Sequence, residues 1–301
     1  MLGRNFNCWV WYNNEYPKLS SIAIGQSLEL TAAIAHHWCR VLRANIGDQG
    51  ILFDGFGGEY QVELQTISKK QATATLLAYH DIDRVAPVTT KIGLVMSRGE
   101  RMDYAIQKST ELGVTAIQLL SSQHGEVTLK PAQVEKKLAH WQQIAIAACE
   151  QCGLNRVPLI LAPLPIQQWL KQNEADNSMD AADMSSSSLS SAVSANISTL
   201  SQDEYYQKLK RPVDLRLQLS VPAADQPLMP AALKEVLAIP NPYLQLLIGP
   251  EGGLSVEECQ QAEQVGFLPW QIGERVLRTE TAPVVALSTL YALSQSALSQ
   301  A

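Results

Sequence analysis

No apolar run in the 301 residues approaches the roughly 20 that a membrane-spanning helix needs, so the sequence offers no α-helical span. Cysteine is scarce as well. Five in a chain of this length, an odd number, do not suggest a disulfide scaffold. Cys149 and Cys152 form a Cys-x-x-Cys with no second pair, and Cys259 is far along the chain. They read as small helix residues near a packed turn rather than half of a zinc site. His36 and His37 are adjacent and have no third ligand at metal spacing, so no metal is expected. The start, Met1 to Phe6, has no charged-then-apolar signal pattern, and the protein is read as cytoplasmic. An excess of positive charge is also missing. The net charge is −6, which argues against generic nucleic-acid binding. That balance is local, however. Residues 171–204 carry one Lys and six Asp or Glu, and the remainder holds 22 basic and 23 acidic side chains. A nearly neutral body can still present a basic face.

Two stretches near the end read as one site. In Leu244-Gln-Leu-Leu-Ile-Gly-Pro-Glu-Gly-Gly-Leu-Ser-Val-Glu-Glu258, a short apolar run predicts a strand buried on both faces. It breaks into glycines that permit positive φ and close approach to the backbone. Ser255 and Glu258 have the spacing of a capping box, so a helix should follow. The order strand, glycine turn, helix puts the loop where ligands sit in an α/β sheet. Gln271-Ile-Gly-Glu-Arg-Val-Leu-Arg-Thr-Glu-Thr-Ala-Pro283 repeats the pattern, with Pro283 in the first turn of a long apolar helix. The first loop lacks the Gly-Lys-Ser/Thr ending of a phosphate-cradling P-loop, which disfavours a nucleotide hydrolase.

Residues 1–80 read as β-rich, with a strand and glycine-rich turn over 50–58, strands over 59–64 and 72–78 and a short helix over 35–44. Three-residue spacing places Arg40 and Arg43 on one helix face, suited to phosphate or merely to solvent. From residue 87 the character changes. Strand 91–96, helix 99–112 and strand 115–120 make a βαβ unit and hence a parallel sheet. Arg98, Arg101 and Lys108 cluster around that helix among Glu100, Asp103 and Glu111. A helix is expected over 131–152 and a strand over 159–162. Residues 172–205, rich in Ser, Ala, Asn and Asp, read as a disordered insertion, with order resuming in strand 215–220.

The Leu247-to-Gly253 and Gly273-to-Ala282 stretches together resemble the bacterial small-subunit ribosomal RNA methyltransferase E family. So do Met96-Ser-Arg-Gly-Glu-Arg-Met-Asp-Tyr-Ala-Ile-Gln-Lys-Ser-Thr-Glu-Leu-Gly113 and Ala147-Ala-Cys-Glu-Gln-Cys-Gly153. The resemblance covers nearly the whole chain. It implies an α/β fold: a SPOUT-type parallel sheet ending in a trefoil knot (residues 87–301), after an N-terminal PUA-like β-barrel domain that helps hold RNA (1–86). The implied activity is methylation of N3 of one uridine of 16S rRNA, uracil(1498), by S-adenosylmethionine, without a metal. Two subunits usually complete each site, so a homodimer is implied. Carried onto this chain, the cofactor pocket would comprise Leu247, Ile248, Gly249 and Gly253 from the first loop. Ile272, Gly273, Val276, Leu277 and Thr279 would complete it from the second. Arg278 and Glu280 would be catalytic, facing the substrate side with Thr279. Arg40, Arg43 and Arg101 would contact RNA. Glu251 reads as a carboxylate favourable to the helix dipole rather than as catalytic. Leu154 stands where relatives usually have Arg, and Phe6 to Tyr12 departs from the family's arginine-bearing start. Two rival readings stay open: a SPOUT enzyme for another RNA position, and a non-catalytic RNA-binding assembly factor.

Overall fold

A computed structural model describes residues 8–10, 19–68, 71–175, 203–221 and 228–298. The chain divides into two compact units, one of residues 1–85 and 146–157, the other of 86–145 and 158–301.

The first unit holds β1 (Cys8–Val10), β2 (Ser27–Glu29), β3 (Gln49–Phe53), β4 (Glu59–Ile67) and β5 (Ala72–His80). They form one sheet in the order β1-β3-β4-β5-β2, antiparallel except for the β1–β3 pair. Alternation along β4 turns Tyr60, Val62 and Leu64 into a core shared with Leu52, Ala74, Leu76 and Trp38. A short helix α1 (Ala32–Ala35) runs into a π-helical turn, His36–Val41. This corrects the sequence expectation for Arg40 and Arg43. The helix ends before Arg43, whose φ of +57° is left-handed, so the helical spacing rule does not place the two arginines on one face. The later segment joins this unit through polar contacts. Asn155 donates to Gly58 O at 3.1 Å and accepts from Arg84 N at 3.0 Å, and Arg156 pairs with Asp83 at 2.8 Å. Leu154 is buried. A hydrophobic residue suits that environment.

The second unit is built on six parallel strands in the order β11-β9-β10-β6-β7-β8. These are β6 (Thr89–Val95), β7 (Ala116–Ser121), β8 (Leu159–Pro165), β9 (Leu215–Leu219), β10 (Tyr243–Ile248) and β11 (Phe267–Trp270). Between them in the chain come α2 (Glu100–Glu111), α3 (Pro131–Cys152, of which 146–152 count with the first unit), α4 (Ile166–Ala175), α5 (Glu204–Gln207), α6 (Ala231–Leu237) and α7 (Val256–Gln264), with α8 (Ala282–Leu298) last. All six residues of β10 are buried, as its unbroken apolar run requires of an interior parallel strand. Residues of the stretch expected to be a disordered insertion fall mostly outside the described residues. Those that are described are ordered otherwise: 172–175 close α4 and 204–205 open α5. Of Phe6 to Tyr12, only Cys8–Val10 is described.

Gly93 lies in the middle of β6 because α4 lays Trp169 on it. A Cβ at Gly93 would come within 2.5 Å of the indole ring. Gly93→Ala is therefore expected to destabilise the protein by about 1–3 kcal/mol, the usual range for overpacking a filled core. Urea denaturation reads this directly, and an unshifted midpoint would mean that the indole moves away at little cost.

Among the described residues no helix is long and apolar enough to cross a membrane, and no group of three His, Cys, Asp or Glu is placed to hold a metal ion.

Candidate active site

In a parallel sheet the loops leaving the C-terminal strand ends share one edge. Here the chain runs outward from β6 to β7 and β8 on one side, and later fills β10, β9 and β11 on the other. The change of direction falls between β6 and β10, where such sheets hold their ligands.

β10 stops at Ile248 and the chain turns through Gly249, Pro250, Glu251, Gly252 and Gly253. Gly253 has φ +72°, and its N–H donates to Pro250 O at 2.9 Å. Both halves of the expected capping box form. The Glu258 N–H donates to Ser255 Oγ at 3.2 Å, and the Ser255 N–H to Glu258 Oε2 at 2.9 Å. In the same turn the Glu257 carboxyl is held below its ordinary range, first by its own main-chain N–H and then by the Ser255 hydroxyl.

Glu258 does more than cap. It is 1% exposed, and its Oε1 accepts from Gln123 N at 2.8 Å and, more weakly, from Gln167 Nε2 at 3.4 Å. One buried carboxylate thus joins the glycine loop, the loop after β7, and α4. His124 adds a second tie: its Nδ1 lies 3.2 Å from Gly253 O, a hydrogen bond when that nitrogen carries the proton. None of this was legible in the sequence, where Glu258 had only its capping partner and Gln123, His124 and Gln167 carried no motif.

The second loop leaves β11 after Trp270. Gly273 has φ +82°, and Thr281 and Ala282 both donate to Arg278 O, at 2.9 and 3.0 Å, starting α8. Arg278 reaches outward with its side chain 78% exposed, and its Nη1 is 3.8 Å from Glu280 Oε1. Glu280 is the reverse. Its side chain is 12% exposed, and Oε2 is buried without a hydrogen-bond partner among the described residues. Desolvating a carboxylate oxygen with nothing to compensate it is costly, and such sites are where function is sought.

The other residues singled out from sequence fall into distinct settings. Leu247 is fully buried and packs with Val95, Trp169 and Phe267, so its side chain belongs to the core. Ile248 and Thr279 are buried, Ile272 and Leu277 half-buried, and Val276 is 74% exposed. Arg101, on α2, pairs with Glu251 of the glycine loop at 2.9 Å. Arg40 and Arg43 belong to the first unit, where Arg40 lines a groove with His36, Cys39, Ser68 and Gln71. Burial pushes the Cys39 thiol up despite Arg40. Cys149 is buried and Cys152 exposed, both as thiols outside any disulfide at the end of α3.

Residues 84–204 and 199–291 match the RNA methyltransferase domain family, and residues 30–77 match the RNA methyltransferase PUA domain. The chain is 30% identical over 273 residues to the ribosomal RNA small subunit methyltransferase E of Synechocystis, covering 91% of this chain and 75% of that one. Among solved structures it is similar to a ribosomal RNA small subunit methyltransferase E from Neisseria gonorrhoeae bound to S-adenosyl methionine, with TM-score 0.68 and 29% identity over 96% of this chain and 98% of that one. It is likewise similar to a Legionella pneumophila protein in complex with the bound cofactor SAM, with TM-score 0.69 and 30% identity over the same shares, 96% and 98%. The glycine loops, the parallel sheet that presents them and these matches over nearly the whole chain place it in the ribosomal RNA small subunit methyltransferase E family.

Proposed function

We propose that this protein methylates N3 of a uridine in 16S rRNA with S-adenosylmethionine, at the position corresponding to uracil(1498), during small-subunit maturation. The observation that carries the reading is the pairing of two open glycine loops with a carboxylate at one loop's end whose Oε2 is buried and accepts no hydrogen bond among the described residues. A Cβ on Gly253 or Gly273 would meet nothing within 4 Å, so the backbone there is open to a ligand. The donor set fits the cofactor: main-chain groups of Leu247, Ile248, Gly249, Gly253 and Gly273 for its polar edges, and Ile272, Leu277 and Val276 for its ring. Thr279 lies beside them. When bound, the cofactor supplies a methyl group already activated by its sulfonium charge. The same reading has the segments after β10 and β11 form the trefoil knot, and a second copy complete each pocket. The large exposure of Val276 supports such a partner or ligand.

What remains for this chain is to place N3 and to handle its proton. Uracil N3 carries a hydrogen and is a poor nucleophile until it is lost. Glu280 Oε2 has an unused lone pair and is the group to accept that proton. Arg278, exposed beside it, stabilises the negative charge that then develops on a uracil carbonyl oxygen. Holding the base in line removes the orientational part of the barrier, and the base must leave its stack to get there. Arg40, Arg43 and Arg101 are assigned to RNA phosphates. Incubation of the pure protein with label-bearing S-adenosylmethionine and small subunits lacking the modification tests the coarse step. Label in 16S rRNA supports it. Cofactor binding without transfer points instead to a non-catalytic assembly factor.

A further inference from the structure

The cation assigned to RNA at the sheet's edge is not free in the chain itself. Arg101 Nη1 lies 2.9 Å from Glu251 Oε1, a contact between residues 150 positions apart that joins the first turn of α2 to the middle of the glycine loop. Both partners remain open to solvent, with side chains 49% and 30% exposed. Another carboxylate of that turn does not compete, because Asp103 accepts from Trp141 Nε1 at 3.0 Å and lies 3.0 Å from His140 Nε2. Glu251 is followed by two glycines, one of them in the left-handed region, so no side chain next to it on the C-terminal side crowds its carboxylate.

We infer that Glu251 is an internal stand-in for an RNA phosphate: it occupies Arg101 in the free protein and is displaced when RNA arrives. The inference rests on the assignment of Arg101 to RNA. An exposed ion pair is weak and screened by salt. A phosphate that belongs to a larger contact surface and releases counterions displaces it readily. Because Glu251 sits in the loop assigned to the cofactor, the exchange makes RNA contact and loop position part of one event. The carboxylate also lowers affinity for every polyanion, so stray RNA is held less tightly.

The test is a double-mutant cycle on RNA binding. Wild type, Glu251→Gln, Arg101→Ala and the double variant are titrated with a fluorescent 16S rRNA fragment carrying the target uridine, at several salt concentrations. Glu126→Gln serves as a charge-matched control, since Glu126 pairs with Arg98 at 3.2 Å in a more exposed setting. Glu251→Gln is expected to bind about two- to fivefold more tightly, the factor corresponding to one exposed ion pair. The gain should vanish in the Arg101→Ala background and exceed that of Glu126→Gln. Equal gains with and without Arg101, or equal gains from the control, would show a general charge effect and overturn the exchange. Weaker binding by Arg101→Ala with no gain from Glu251→Gln overturns it too. If Arg101→Ala binds like wild type, the underlying assignment of Arg101 to RNA fails instead.

Discussion

Replacing Arg278 with alanine is expected to slow methyl transfer by about a hundred- to a thousandfold, the usual cost of removing one preorganised donor to a developing oxyanion. Thermal stability and cofactor affinity should stay as they are. The separation follows from where the side chain is. It is 78% exposed, and its ion-pair partner Glu280 is 3.8 Å away, beyond hydrogen-bond distance. Such a pair contributes about 0–1 kcal/mol to folding. The guanidinium therefore matters only when a charge appears in front of it. Arg278→Lys should recover little, because an ammonium cannot offer the planar fork. Single-turnover rates at saturating cofactor, with calorimetry for binding, read the two effects apart. A stable variant that transfers methyl at the wild-type rate would remove Arg278 from the chemistry.

Glu258→Ala should have the largest effect on folding. The carboxylate is 1% exposed and accepts from Gln123 N, Ser255 N and Gln167 Nε2. Removing it leaves the main-chain N–H groups of Gln123 and Ser255 without their acceptor, the second of them buried, and opens a cavity. Charge-assisted hydrogen bonds contribute about 1.5–3 kcal/mol each, and the contacts share one group, so a loss of about 3–4 kcal/mol is expected. Cofactor affinity should fall as well, because the glycine loop loses its tie to the loop after β7. Glu258→Gln keeps the shape but offers an NH₂ to one of the two N–H donors, and should lie between. Urea midpoints for both variants decide the point. If Glu258→Ala unfolds at the wild-type midpoint, the carboxylate is not the joint between these loops.

Much of this arrangement was legible in the sequence because it rests on local rules. The β10 run, the glycine break, the capping box and α8's proline are contiguous, and each follows from backbone geometry or capping alone. α3 was expected over 131–152 and spans Pro131–Cys152. Arg43 failed for a local reason too: a π-turn consumes extra backbone, and the helical spacing rule no longer applies. What sequence could not give is pairing across distance. Glu251 with Arg101, Glu258 with Gln123, and Trp169 over Gly93 join positions 76 to 150 apart, which no periodicity reports. α4 was obscured because its last residues share the polar composition of the segment after it, and β11 is only four residues with a proline inside.

The most direct test of the account is the identity of the methylated nucleoside. Small subunits lacking the modification are treated with wild-type protein and S-adenosylmethionine, and the 16S rRNA is digested and analysed by mass spectrometry with authentic standards. The expected product is 3-methyluridine, at one site. A methyl group on carbon 5, on a ribose hydroxyl or on another base would contradict it, because Glu280 and Arg278 have been assigned to an N3 proton and a carbonyl oxygen.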